Sequence, residues 1–349
     1  MYINIVYLIS TLIFTLVIFR LLMSKGISLN LYDYPDDRKI HGEKILKIGG
    51  IGIIFSSLFM LCVYRLMFEE LLFSMTILES QIFFSTIFLV IGGLVDDLVG
   101  LNAYQKLFFQ LTAIFIIVKS EFILSLTTNP YIDIIITIIF FIIVINSMNL
   151  IDGIDGLSSG IFIIFCFAML VVLQFIPIID SQYFILISIF LGSMIAFFII
   201  NSPPAKIFLG DAGSQLIGWI MAISIIHLSS FFEFNYQRLY LLSFISIPFY
   251  DVFYVMILRF NNKKGKLIRK LFSIVKPDQN HIHHSLLRNN ISSNKSLLIL
   301  LILFLILSLL SLIPIYFESY YSIIFIAIFS IFIFFRFFFH NKEVYEQNN

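Results

Sequence analysis

The stretch Ile134-Ile135-Ile136-Thr137-Ile138-Ile139-Phe140-Phe141-Ile142-Ile143-Val144-Ile145 runs directly into Asn146-Ser147-Met148-Asn149-Leu150-Ile151-Asp152-Gly153-Ile154-Asp155-Gly156-Leu157. The first part belongs to an apolar run long enough to lie in lipid. The second sets two amides and two carboxylates, each three residues from the next, where that run ends. Ionisable groups at the margin of a membrane helix are costly unless they face protein, water or a ligand, so they mark a functional site. The two Asp-Gly steps add backbone freedom where the helix should stop. The spacing predicts a membrane helix ending in one wall of a polar site at the membrane surface.

The whole chain fits that reading. Of its 349 residues 60% are hydrophobic and only 12% charged, with mean hydropathy +1.02. Soluble domains carry roughly 25% charged residues, so the fold class is an all-α polytopic membrane protein. Residues 1–349 are expected to form a single membrane-embedded domain. Cys62 and Cys166 lie far apart in apolar segments and read as small buried hydrophobes, not as a disulfide or metal pair. The first run, Tyr2 to Met23, lacks a basic start and a small-residue cleavage site, and reads as a retained helix.

Apolar runs near 20 residues fall at 2–22, 48–67, 80–95, 107–119, 131–149, 157–178, 182–200, 213–231, 238–258, 296–316 and 319–338. That predicts eleven helices, or ten if the fourth, interrupted by Lys119 and Glu121, drops out. Of the 22 basic residues, six lie from the end of the first run to the start of the second (Arg20, Lys25, Arg38, Lys39, Lys44 and Lys47) and nine between the ninth and tenth. Both links follow odd-numbered runs, so they share a side, and the excess of Lys and Arg makes it the cytoplasm. The N-terminus is then expected outside. The opposite links hold Arg65, Lys119 and Arg238 among several acids.

Five polar clusters follow runs one, three, five, seven and nine, and so are expected on that cytoplasmic face. The first, Asp33 to Gly50, mixes Asp33, Pro35, Asp36, Asp37 and His41 with its lysines, more than a basic lipid-contacting loop needs. The second holds Asp96-Asp97 and then Lys106 and Gln110. Two adjacent carboxylates repel unless a cation or a proton intervenes. Hard oxygen ligands of this kind suit Mg²⁺, which is held by one or two carboxylates plus substrate phosphates, and Lys106 can meet a phosphate oxygen. As a plain helix cap, the pair would mean nothing more. The third cluster is the opening stretch. In the fourth, Pro203-Pro204 ends a run, and Phe208-Leu209-Gly210-Asp211-Ala212-Gly213-Ser214 opens the next, where a helix N-terminus favours phosphate or metal-bound phosphate. The fifth, Pro277-Asp278-Gln279-Asn280-His281-Ile282-His283-His284, could bind zinc, but with no cysteine nearby phosphate binding or proton handling fits better.

Asp96-Asp97, Asn146 to Leu157, Phe208 to Ser214 and His281 to His284, in this order, resemble the polyprenyl-phosphate N-acetylhexosamine-1-phosphate transferases. That membrane family includes phospho-MurNAc-pentapeptide translocase and undecaprenyl-phosphate GlcNAc-1-phosphate transferase. The His281-Ile282-His283-His284 form is closer to the GlcNAc-type branch. The resemblance covers Asp33 to His284 and implies transfer of a sugar phosphate from a UDP-N-acetylhexosamine to undecaprenyl phosphate, releasing UMP, at the bacterial cytoplasmic membrane. UDP-GlcNAc is the expected donor, at the start of cell-surface polysaccharide synthesis such as O-antigen or teichoic acid. It implies Asp211 as the principal ligand of Mg²⁺ (or Mn²⁺), and Asp96 and Asp97 as the pair engaged in catalysis and with the lipid phosphate. It further implies Lys106 facing phosphate, Phe208 stacking on uracil, Asn146, Asn149 and Asp155 lining the nucleotide pocket, and Asp152 near metal and nucleotide. His281, His283 and His284 would grip the diphosphate and sugar. Membrane lipids are expected partners, a homodimer is allowed, and no nucleic acid is involved. One departure is visible: Lys44 and Leu46 stand where the family has prolines.

Two other classes fit less well. A transporter places ionisable residues near the bilayer midplane on broken helices, not at helix ends on one side. An intramembrane aspartyl protease built on Asp211 would leave the lysines, the Asn146–Asp155 cluster and the histidine loop without a role.

Overall fold

A computed structural model describes residues 2–25, 31–33, 44–68, 76–176, 181–232, 241–246, 248–253, 255, 286, 291–313 and 328–332. Its elements in order are α1 (Tyr2–Lys25), β1 (Tyr32–Asp33), β2 (Ile45–Leu46), α2 (Gly49–Met67), α3 (Ile77–Val99), α4 (Ala103–Val118), α5 (Pro130–Ile151), α6 (Leu157–Leu173), α7 (Ser181–Asn201), α8 (Gly210–Ser229), a 3₁₀ turn Leu241–Ile245 and α9 (Ser293–Leu310). Residues 248–253 and 328–332 are also helical and fall inside two further predicted runs. Among the described residues seven helices are long and apolar enough to cross a membrane, and Ala103–Val118 and Leu157–Leu173 are shorter apolar helices. The chain is a mostly helical, multi-pass membrane protein.

Local capping explains where the helices differ from the hydrophobic runs. Thr76 and Glu79 form a capping box that starts α3 three residues before the predicted 80, and Gly100 at φ 75° ends it. The helix therefore carries Asp96 and Asp97 on its last turn instead of in a loop beyond it. Asn102 and Gln105 form a second box and start α4 at 103, before the expected 107. Asn129 caps α5, with Pro130 in the first turn where its missing N–H costs nothing. α6 stops at Leu173, short of the predicted 178, and α8 begins at Gly210, ahead of 213.

The least apolar of the seven spanning helices, α8, is the most buried. It buries 17 of its 20 residues, Trp219 among them, and packs against α2, α3, α5 and α6. Glycines let the neighbours come close: a Cβ on Gly93 of α3 would lie 2.4 Å from Ala212 Cα, and one on Gly218 of α8 would lie 2.6 Å from Ile145 Cα. Small residues at helix crossings allow such backbone approach, which supplies packing where lipid offers no hydrophobic drive. By contrast α1 packs on α7 at the periphery and leaves Ile5, Ile9, Ile13, Val17 and Leu21 exposed at four-residue spacing, a face suited to lipid.

The link after α1 contains structure that hydrophobic periodicity could not reveal. β1 and β2 pair antiparallel, with Tyr32 opposite Leu46 and Asp33 opposite Ile45. Leu46 also bridges Ile207 in parallel. Lys44, at a position where proline was expected, lays its ammonium 4.7 Å from the Tyr32 ring centroid. Both cysteines are free; Cys166 is buried as expected, but Cys62 is exposed.

Candidate active site

The C-terminal ends of α3, α5 and α7 meet the N-terminal ends of α2, α4, α6 and α8 at one end of the bundle. The contacts that join them are polar. Gly49 N–H donates to Phe208 O at 2.9 Å, Gly50 N–H to Leu209 O at 2.8 Å, and Phe208 N–H to Leu46 O at 2.8 Å. The segment before α2 therefore runs along the segment before α8.

At the centre are three carboxylates and a lysine. Asp97 accepts hydrogen bonds from the backbone N–H groups of Asp211 (2.9 Å) and Ala212 (3.1 Å), one to each oxygen. It is the cap that α8 lacks in its own sequence, because Leu209 at the N-cap has no capping side chain. Gly210, at φ 76°, makes the tight turn that brings Asp211 over Asp97, and a Cβ there would lie 2.7 Å from Asp97 Oδ2. Asp96 is buried and its Oδ1 accepts the N–H of Leu101 at 2.7 Å. Its other oxygen pairs with Lys106, whose Nζ also reaches Asp211 Oδ1 at 3.2 Å. Lys106 thus bridges the aspartates of α3 and α8 from the first turn of α4.

The wall quoted first from the sequence divides into two layers. Nearest the aspartates, Asn149 Oδ1 accepts from the Ser214 hydroxyl at 2.7 Å, and the Asp152 carboxylate accepts from Ser158. Burial pushes the Asp152 carboxyl up to about 7 against the Ser158 hydrogen bond, and the charges of Asp211, Asp155 and Asp97 push the same way. Asp155 Oδ2 takes the N–H of Ala205 at 2.9 Å, while Asn201 Oδ1 takes that of Gly156 at 2.8 Å, so this wall is fastened to the end of α7. One turn deeper, Asn146 exchanges its amide with Gln110, donating to Oε1 at 3.0 Å, and Gln110 donates to Gln215 Oε1 at 3.3 Å. Phe208 is half-buried beside Gly210.

The structure thus brings Asp96, Asp97, Lys106 and Asp211 into direct contact and sets Asn149 and Asp152 beside them. Asn146 lies below, in an amide network. His281, His283 and His284 fall outside the described residues. Gln215, Asn201 and Ser158 were not singled out from sequence, since serine, asparagine and glutamine at helix ends carry no pattern that separates a fastening from a solvated turn. In the sequence Lys47 is one basic residue among the several in the link after α1. It pairs with Asp33 at 2.9 Å, next to the backbone ladder that leads to Asp211. Burial alone would lower its pKa, but Asp33, then Asp97 and Asp211, more than offset this and hold the ammonium charged above its ordinary range.

Chemically, carboxylates around one ammonium at a helix N-terminus are a donor set that a divalent cation and a phosphate would suit. Among the described residues no three His, Cys, Asp or Glu side chains come together as a self-sufficient metal site. That donor set fits Mg²⁺, which takes one or two carboxylates and completes its shell from substrate phosphates and water. With Asp97 occupied by backbone N–H groups, Asp211 is the carboxylate best placed to bind.

The family profile described as Glycosyl transferase family 4 matches residues 80–229, the span from α3 to the end of α8. The chain is 31% identical over 274 residues to the undecaprenyl-phosphate alpha-N-acetylglucosaminyl 1-phosphate transferase of Thermotoga maritima, covering 77% of this chain and 76% of that protein. It is 26% identical over 314 residues to a probable undecaprenyl-phosphate N-acetylglucosaminyl 1-phosphate transferase of Bacillus subtilis, covering 85% and 79%. It is also 26% identical over 297 residues to the decaprenyl-phosphate N-acetylglucosaminephosphotransferase of Mycolicibacterium smegmatis, covering 76% and 71%. With the aspartates, the lysine and the Asn146–Asp155 wall assembled at one end of the bundle, the chain belongs to glycosyl transferase family 4, among the polyprenyl-phosphate N-acetylhexosamine-1-phosphate transferases.

Proposed function

We propose that the protein transfers N-acetylhexosamine 1-phosphate, with UDP-GlcNAc as donor, to undecaprenyl phosphate and releases UMP. The observation that carries this reading is the Lys106 bridge between Asp96 and Asp211 at the capped N-terminus of α8. Phosphoryl transfer asks a protein for in-line positioning and charge neutralisation more than for covalent chemistry, and this cluster would answer that need with a divalent cation on Asp211. The names of the relatives support a polyprenyl phosphate acceptor and a GlcNAc-phosphate group.

Asp211 would hold Mg²⁺, with Mn²⁺ as a substitute, which would neutralise the donor diphosphate. Lys106 would screen the repulsion between Asp96 and Asp211 and offer an N–H to a phosphate oxygen. The acceptor phosphate is already anionic and attacks directly, with Asp96 taking any residual proton. Asn149, Asp152, Asp155 and Phe208 make the nucleotide side of the site, and Asn146 supports them from below. By the family resemblance, His281, His283 and His284 would grip the diphosphate and sugar.

The site serves a donor from water and an acceptor from lipid, so it belongs at the cytoplasmic boundary of the bacterial inner membrane. The N-terminus is then outside and the spans number eleven, which puts the basic links on the cytoplasmic side. Membranes containing the protein, incubated with undecaprenyl phosphate, Mg²⁺ and a panel of UDP-sugars, should release UMP with UDP-GlcNAc; chelation should stop the reaction and Mg²⁺ restore it. No UMP from any sugar would remove the proposal.

A further inference from the structure

We propose that Lys47 is a second phosphate-binding cation of the site, delivered by the link after α1 and aimed by Asp33. The inference rests on the reaction proposed above and adds a residue to it. Its geometry comes from the backbone. Lys47 follows Leu46, whose carbonyl takes the Phe208 N–H at 2.8 Å, and precedes Gly49 and Gly50, whose N–H groups bond to Phe208 and Leu209. The Lys47 N–H itself bonds to Leu31 O at 2.8 Å. A residue held at both ends in this way cannot drift from the turn at Gly210 and Asp211.

The side chain is held too. Lys47 Nζ lies 2.9 Å from Asp33 Oδ1, and the pair is only partly open to water, with the lysine the more exposed partner at 25% against 12%. An ammonium has three N–H donors, and among the described residues Asp33 is its one ion-pair partner. Its ammonium lies within electrostatic reach of Asp97 and Asp211, which belong to the cluster that has Lys106 as its direct counter-charge. A lysine that stands there is kept charged by Asp97 and Asp211 as well as by Asp33. One that meets an incoming phosphate oxygen there would offset its negative charge. That phosphate could belong to the donor diphosphate or to the lipid acceptor; both present the same chemistry.

The test is a kinetic comparison in detergent-solubilised full-length protein, with UMP release measured against each substrate in turn. Lys47→Met should raise KM for one substrate by roughly ten-fold or more, the weight of a charge-assisted hydrogen bond, with a smaller change in kcat. The substrate whose KM moves identifies the phosphate. Lys47→Arg should recover most of the loss, and Asp33→Asn should show a milder rise in the same KM. The exchange Asp33→Lys with Lys47→Asp rebuilds the ion pair with its charges reversed, and should not restore KM. Unchanged KM for both substrates in Lys47→Met, or full recovery in the exchanged pair, would overturn the proposal and make the pair structural. Asp211→Asn, which should lose turnover whatever Lys47 does, and the wild-type assay separate failure of this inference from failure of the reaction itself.

Discussion

Asp97 at the end of α3 holds Asp211 at the start of α8 by the backbone: its two carboxylate oxygens accept the N–H groups of Asp211 and Ala212 at 2.9 and 3.1 Å. A carboxylate committed in this way sets where its neighbour stands and is poorly placed to attack phosphorus. The adjacent aspartates, which look equivalent in sequence, therefore have different work. Asp97 builds the site, and Asp96 and Asp211 face Lys106 within it.

The first prediction follows from that division. Asp97→Asn keeps one acceptor oxygen and turns an NH₂ toward a backbone N–H, leaving a donor unpaired. It should lower stability by about 1–3 kcal/mol and reduce turnover together. Asp211→Asn removes the charge proposed to hold Mg²⁺ without touching the cap, so turnover should fall by about 100-fold or more with little loss of stability. Thermal unfolding in detergent alongside UMP release checks both; equal stability of the two variants would refute the cap.

Lys106 is the shared counter-charge of two aspartates, so its removal should act in two directions. Lys106→Gln leaves Asp96 and Asp211 without their counter-charge, and kcat should fall by about 100-fold. The same change makes the cluster more negative, and the Mg²⁺ concentration giving half-maximal activity should fall as well. A Mg²⁺ titration of the variant checks this; a rise in the requirement would show that Lys106 is not competing for the same charge.

Much of this architecture is legible in the chain alone. Hydrophobic runs located α1 to α8 because lipid demands long apolar segments, and the Asn146–Asp155 spacing identified a site wall because polar residues at a membrane helix end need a reason. The capping boxes at Thr76 and Asn102 are local polar signatures, whereas a hydrophobic run marks the lipid-facing length and not the capped end of a helix. What could not be read was partnership. Asp97 capping α8 joins residues more than a hundred apart, and the Leu46–Phe208 ladder that places Lys47 joins two loops with no periodicity. The pairing of Asn201 with Gly156 is equally silent, since one asparagine at a helix end looks like any other.

Gly93 tests how tightly α3 is clamped to α8. A Cβ there would meet Ala212 Cα at 2.4 Å and its backbone N at 2.8 Å, neither of which can rotate away. Gly93→Ala should cost about 1–3 kcal/mol through overpacking, and should also displace the neighbouring Asp97 cap. Thermal stability and turnover should fall together. A variant of normal stability would mean that the two helices can separate without harm.

The amide network below the site gives the last test. Gln110 and Gln215 are buried, and Asn146 joins them by exchanging hydrogen bonds with Gln110. Asn146 also donates to its own helix at Ile142 O, 2.7 Å, so its amide is committed downward, away from Asn149 and the aspartates. Truncating one member leaves the others unsatisfied in a buried setting, at about 1–3 kcal/mol. Gln110→Leu and Gln215→Leu should each lower thermal stability, and the double variant should lose less than the two losses added, because the orphaned partner has gone too. Asn146→Leu should behave like them, with the donor KM within about two-fold of wild type, the mark of a support rather than a nucleotide contact. A large rise in donor KM for Asn146→Leu alone would move that residue up into the nucleotide pocket.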